Sequence, residues 1–157
     1  MIWLGFVARF YIMAPGKLLE EPLTRSVIGA FYEVYHHLGF GFLESLYASA
    51  LERELLGREH DVMRECCVRI MYKGQELGVQ RLDMIVDNKL VVETKSTLDL
   101  HKSATRQLYN YLHATNLEVG LLLHFGPRAS FHRVICRHSK YNPEHPSNPE
   151  HPYNPPS

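Results

Sequence analysis

The chain has 157 residues, 45% hydrophobic and 22% charged, a composition that fits one globular domain with its own core and excludes a disordered or fibrous protein. Lysine plus arginine equals aspartate plus glutamate, 17 of each. A zero net charge excludes histone-like or polybasic-tail binding and leaves any nucleic-acid role to a local arrangement of charge.

Residues Met1 to Met13 are apolar apart from Arg9. The run is too short to span a membrane, and a charge in its middle is wrong for a signal peptide. A docked strand or helix, an upstream extension from a misassigned start and a weak targeting segment all fit. The expectation is an N-terminal extension over residues 1–17, with Met13 as an alternative start. A helical pattern then opens with Thr24 as N-cap and Val27, Ile28, Phe31, Val34, Tyr35 and Leu38 on its apolar face. Gly39-Phe40-Gly41 interrupts it. A second helical stretch carries Leu43, Leu46, Tyr47, Ala50, Leu51 and Leu55 and ends at Gly57.

From Asp61 the period changes to that of strands. Val62–Tyr72, Gly78–Val86 and Leu90–Lys95 read as three strands, with Lys73-Gly74 and Asp87-Asn88-Lys89 as turns. His101–Ala114 reads as a helix with Leu108, Tyr111 and Leu112 inward. Leu117–Phe125 is a nearly continuous apolar run of the doubly buried kind, and Phe131–Arg137 is a last strand. The order α(α)βββαββ predicts an α/β fold, a mixed central sheet with helices packed on it. Six of the nine prolines fall in residues 141–157, with Asn-Pro-Glu-His-Pro twice, so a disordered tail is expected there, its His145 and His151 solvated. The folded domain is therefore 18–140. Cys66, Cys67 and Cys136 have no metal or disulfide spacing, which suits a reducing cytoplasmic setting.

The chemistry concentrates in Arg81-Leu82-Asp83 and Val92-Glu93-Thr94-Lys95. Glu93 and Lys95 are two apart on a strand and share a face. A two-residue turn would set Asp83 opposite Val92 or Thr94. A three-residue loop, Asp87-Asn88-Lys89, sets it opposite Glu93, with Cβ atoms ~4.5–5.5 Å apart. Carboxylates that close, in apolar surroundings, repel unless a cation neutralises them, and hard oxygen ligands suit Mg²⁺. Lys95 would then hold a phosphate or orient a water. A surface salt bridge among Asp83, Glu93 and Lys95 is the competing reading of the same residues. Glu44 near the start of the second helix, Tyr47 one turn on, and Gln107 in the third helix add polar groups that are each also ordinary helix residues.

Together these segments resemble the GxxExxY proteins of the PD-(D/E)XK nuclease superfamily. The likeness rests on Leu23-Thr-Arg-Ser-Val-Ile-Gly-Ala-Phe31, Leu38-Gly-Phe-Gly-Phe-Leu-Glu44-Ser-Leu-Tyr47, Arg81-Leu82-Asp83, Val92-Glu93-Thr94-Lys95, Gln107-Leu-Tyr-Asn-Tyr-Leu112 and Val119-Gly-Leu-Leu122 leading to Phe125-Gly126. One departure is Leu82, where the superfamily pattern has proline. The resemblance implies a restriction-endonuclease-like core and a metal-dependent phosphodiesterase acting on nucleic acid, with DNA expected. It implies Mg²⁺ (or Mn²⁺) on Asp83 and Glu93, helped by the Thr94 carbonyl and by Glu44. Lys95 would position the water, and Gln107 would orient Lys95 or the substrate. Tyr47, Arg81, Lys102 and Arg106 are the candidate substrate contacts. No membrane partner is expected, and a homodimer or partner protein is left open. The alternative is a catalytically silent nuclease-fold module that binds nucleic acid or a protein.

The zero charge divides along the chain. Residues 41–99 hold eight basic and eleven acidic residues, whereas residues 100–140 hold six basic residues (Lys102, Arg106, Arg128, Arg133, Arg137, Lys140) against Glu118 alone. An acidic metal pocket beside a basic flank is the expectation.

Overall fold

Residues 19–137 are described by a computed structural model. The expectations for the N-terminal extension and for the Pro-rich tail, with Lys140, His145 and His151, lie outside the described residues. Helix α1 (Glu21–Leu38) starts earlier than Thr24. Pro22 stands in its first turn, where a missing N–H costs no helix bond, and the left-handed Glu20 (φ 52°) turns the chain into it. Thr24 is therefore not the cap. It lies inside the helix, buried, with its hydroxyl unpartnered. Gly39 (φ 67°) and Gly41 (φ 119°) turn the chain after α1, and helix α2 (Glu44–Gly57) follows in series.

Strands β1 (Val62–Tyr72), β2 (Gln75–Val86) and β3 (Leu90–Lys95) form a meander; helix α3 (Lys102–Thr115) crosses over to β4 (Val119–Phe125), and β5 (Ala129–Ile135) returns. The sheet order is β1-β2-β3-β4-β5, with β3 and β4 parallel and every other neighbour antiparallel. This is the expected mixed sheet, with β2 three residues longer at its start and β4 and β5 offset by two. Helices α1 and α2 cover one face over Val27, Phe31, Leu51, Met84, Val92 and Leu121. Helix α3 covers the other over Leu82, Val91, Leu108 and Leu122. β4 is buried at every position, as a strand covered on both sides must be.

The pairs Val86↔Leu90, Ile85↔Val91 and Met84↔Val92 close over Asp87-Asn88-Lys89, so the hairpin has the three-residue loop. One regularity fails, and it fails at Asp83. Val62, Met84 and Val86 pack against α1 and α2, whereas Cys66, Val68 and Leu82 pack against α3, though all six are even-numbered. The change of face falls between the pairs Arg64↔Met84 and Cys66↔Leu82, where Glu65 is left-handed (φ 51°). A local twist of this kind re-aims the side chain that faces it, and that residue is Asp83.

At the other end of β3, Ser26 Oγ lies 2.7 Å from His60 Nε2, and His60 Nδ1 lies 2.8 Å from Asp87 Oδ2. The order is that of a nucleophile relay. Ser26 sits within α1, however, whose neighbouring amides are spent in the helix ladder, so no backbone oxyanion site faces it. The line is a brace joining α1, the entry to β1 and the β2–β3 turn. Two open surface depressions flank it, one beside Arg25, Ser26 and Arg58 and one beside His60, Asp87 and Lys89. Among the described residues no helix is long and apolar enough to cross a membrane.

Candidate active site

The β2–β3 ladder stops at Met84↔Val92, and beyond it a side chain takes over. Asp83 Oδ2 accepts the Thr94 amide at 2.7 Å and the Thr94 hydroxyl at 2.6 Å. This fixes the Asp83 carboxylate at the end of β3, beside the next residue back. Glu93 projects toward the α3 side from between Val91 and Lys95 and is 3% exposed. Its Oε1 accepts from Lys95 Nζ at 2.7 Å, while its Oε2 is buried with no hydrogen-bond partner. Glu44, the first residue of α2, completes the group: its Oε1 is 3.6 Å from Lys95 Nζ and its Oε2 accepts the Ser96 amide at 3.1 Å.

Burial first, and then the Asp83 charge, push the Glu93 carboxyl up to about 7 against the pull of Lys95. Burial works against the Lys95 ammonium, but Glu93 above all, with Glu44 and Asp83 behind it, holds its pKa above the usual lysine value. The two shifts compete for the same proton and have one cause: three carboxylates share one ammonium. Such a cluster takes up another positive charge, a proton or a cation. Among the described residues no three His, Cys or carboxylate side chains converge as a ready cage. Two carboxylates with one buried, unpartnered oxygen fit an ion that keeps most of its waters, as Mg²⁺ does.

A profile of the PD-(D/E)XK nuclease superfamily matches residues 21–135. The chain belongs to this superfamily. The matched stretch contains Asp83 and Glu93-Thr94-Lys95, and the mixed five-stranded sheet with its helices is the restriction-endonuclease-like core. Leu82, at the nominal proline, is fully buried against α3. Among solved structures, one described as the crystal structure of SSO0001 matches at a TM-score of 0.49 and 22% identity, over 74% of this chain and 59% of that one. The chain thus spans less than two thirds of that protein. No curated protein matches it.

In this nuclease-superfamily core the other predicted residues separate. Tyr47 is not a surface for substrate: it is fully buried and stacks on Phe125 with ring centroids 4.2 Å apart. Its hydroxyl donates to Gly39 O at 2.6 Å and accepts the Phe42 amide at 3.2 Å, so it fixes the loop before Glu44. Gln107 reaches the site through another residue, donating to the Tyr111 hydroxyl at 2.5 Å. Arg81 is exposed beside Glu65, at 3.7 Å, and Lys102 and Arg106 are exposed in the first half of α3. The basic flank is not one surface, because Arg133 turns to α1 and donates to Leu19 O.

Three site residues escaped the sequence reading. Tyr111 was expected as core; its ring is buried, but its hydroxyl also donates to Arg81 O at 3.4 Å. Burial, and next the nearby Glu93 charge, raise its pKa. Ser96 ties the loop to β3 through its hydroxyl, which donates to Phe42 O at 2.7 Å. His124, the β4 partner of Lys95, is buried and bonded to Thr97 O at 2.8 Å. A signal for it existed: a lone histidine inside an otherwise apolar strand.

Proposed function

We propose that this chain is a metal-dependent nuclease of the GxxExxY group, hydrolysing phosphodiesters of nucleic acid, with DNA as the substrate. The observation that carries the reading is the buried, unpartnered Glu93 Oε2 in a cluster of three carboxylates and one lysine. Asp83 and Glu93 would hold Mg²⁺ or Mn²⁺, with the Thr94 carbonyl and Glu44 in support. When bound, such an ion supplies an acidified water and offsets the charge gained at phosphorus. The chain's own residues do the rest. The Lys95 ammonium, anchored on Glu93 Oε1, presents its remaining donors to a phosphate oxygen or to the attacking water. Thr94 keeps Asp83 oriented through two hydrogen bonds, and Tyr111, held by Gln107, walls the α3 side.

The test is cleavage of single-stranded, duplex and branched DNA and RNA with Mg²⁺ or Mn²⁺. Asp83→Ala, Glu93→Ala and Lys95→Ala should each lose roughly 100-fold or more of the activity, with circular dichroism unchanged. Loss of Mg²⁺ heat in calorimetry of Asp83→Asn should accompany it. Undiminished cleavage by all three variants overturns the reading. Nucleic-acid binding without cleavage of any substrate would instead make the chain a silent nuclease-fold module.

A further inference from the structure

We propose that the loop and helix start beside the carboxylates form a stacking platform for unpaired bases, making single-stranded nucleic acid the substrate of this site. Cleavage there rests on the nuclease reading above; the platform itself does not. Phe40 is 41% exposed, Phe42 47%, Leu43 73% and Leu46 50%, and Leu98, two residues beyond Ser96, is 71% exposed. Phe40, Phe42, Leu43 and Leu46 fall within seven residues, and Leu98 follows the Ser96 that bonds Phe42 O, so this is not the scattered exposure of an ordinary surface.

Their exposure is built in. Tyr47 bonds both ends of the Gly39–Phe42 turn, and the Ser96 hydroxyl holds Phe42 O, so the loop is pinned to the end of β3. Phe42 meets Tyr47 edge to face (80°, centroids 6.2 Å), which braces one side of its ring and leaves the rest to solvent. The platform adjoins Glu44, whose carboxylate is 3.6 Å from Lys95 Nζ. Anything lying on it therefore passes the reacting centre.

That position selects the occupant. A protein covering the patch would close the entrance to the carboxylates, whereas a strand of nucleic acid would run on into them. Exposed aromatic rings stack on bases only where the bases are unpaired, and a basic flank tracks the backbone. Lys102 and Arg106 are exposed in the first half of α3, the helix toward whose side of the sheet Glu93 projects, and supply positive charge on that side. In a duplex the base faces are already covered, so Phe40 and Phe42 would gain nothing.

The experiment measures anisotropy of a fluorescein-labelled twelve-residue oligothymidylate and of a twelve-base-pair duplex, using the full chain in EDTA. The oligothymidylate should bind more tightly, and Phe40→Ala or Phe42→Ala should weaken it roughly tenfold or more with duplex binding unchanged. Phe42→Leu, which keeps the apolar bulk and spares the fold, should weaken it as well. Equal binding of duplex, or oligothymidylate binding untouched by all three Phe variants, overturns the proposal. So does a self-association of the full chain in sedimentation that Phe42→Leu abolishes while oligothymidylate binding stays. If the Phe effect holds but no substrate is cleaved with metal, the nuclease reading fails and the platform stands.

Discussion

Glu93 sits where its charge is least welcome, 3% exposed and next to Asp83, with one carboxylate oxygen bonded to nothing. Its carboxyl is raised from 4.5 to about 7, burial first and Asp83 second. A raised acid binds its proton more tightly folded than unfolded. Its stabilisation is then complete below about pH 4.5 and is lost as pH rises through 7. The metal-free protein should be less stable at pH 8 than at pH 5, by an amount on the order of 3 kcal/mol at most, and so unfold at lower temperature. Glu93→Gln should flatten that slope and be the more stable chain at pH 8, and excess Mg²⁺ should restore the wild type. Melting curves with and without EDTA read both effects; a flat wild-type profile in EDTA would count against the charge cluster. The three-residue loop was legible in the sequence, and so was the shared face of Glu93 and Lys95. The aim of Asp83 was not, because the ladder ends at Met84↔Val92 and its carboxylate bonds Thr94 instead. Tyr111, Ser96 and His124 were not, because their roles depend on hydrogen bonds that reach from one element to another.

At the scale of elements, the sequence marks strands better than helix faces. Val62–Tyr72 and Leu90–Lys95 coincide with β1 and β3. In α2 the apolar positions are too many for one face. The sheet takes Tyr47, Ala48, Leu51 and Leu55, and Leu43 and Leu46, expected inward, face solvent. The change of face at Glu65 was illegible too, since strand patterning assumes a constant period of two. Tyr47 joins α2 to the loop before it, and its ring and hydroxyl do separable work. Tyr47→Phe keeps the stack on Phe125 and removes the bonds to Gly39 O and the Phe42 amide. Losing two partly buried hydrogen bonds should cost about 1–2 kcal/mol in urea denaturation. Hydrogen exchange should show the Phe42 amide deprotected while the β4 amides stay protected. Unchanged exchange at Phe42 would mean that Ser96 alone holds the loop.

Across the whole molecule, β3 separates two polar assemblies. The carboxylates lie at its C-terminal end, and the Ser26–His60–Asp87 brace lies by the turn at its start, about 20 Å away at ~3.3 Å per residue. The topology behind this was legible, because a meander, a crossover helix and a buried strand admit few arrangements. The brace was not, since its members come from three segments with no shared motif. Its pH response is opposite to that of Glu93. Burial alone would raise the Asp87 carboxyl, but the hydrogen bonds from His60 and the Asp61 amide outweigh it and hold it below 3.8. A lowered acid stabilises the fold above its ordinary pKa and ceases to as pH falls through the lowered value. Asp87 is a third exposed, so solvent limits the effect to about 1 kcal/mol. Asp87→Ala should therefore lower the urea midpoint at pH 7 and converge with wild type as pH falls through the lowered Asp87 value, where both carry no charge at that position. Because the turn and the carboxylates are separated by the length of β3, the same variant should leave cleavage at pH 7 at the wild-type rate. A loss of activity matching that of Lys95→Ala would show that the two ends of the strand are coupled, and that the brace sets the register on which Asp83 and Glu93 meet.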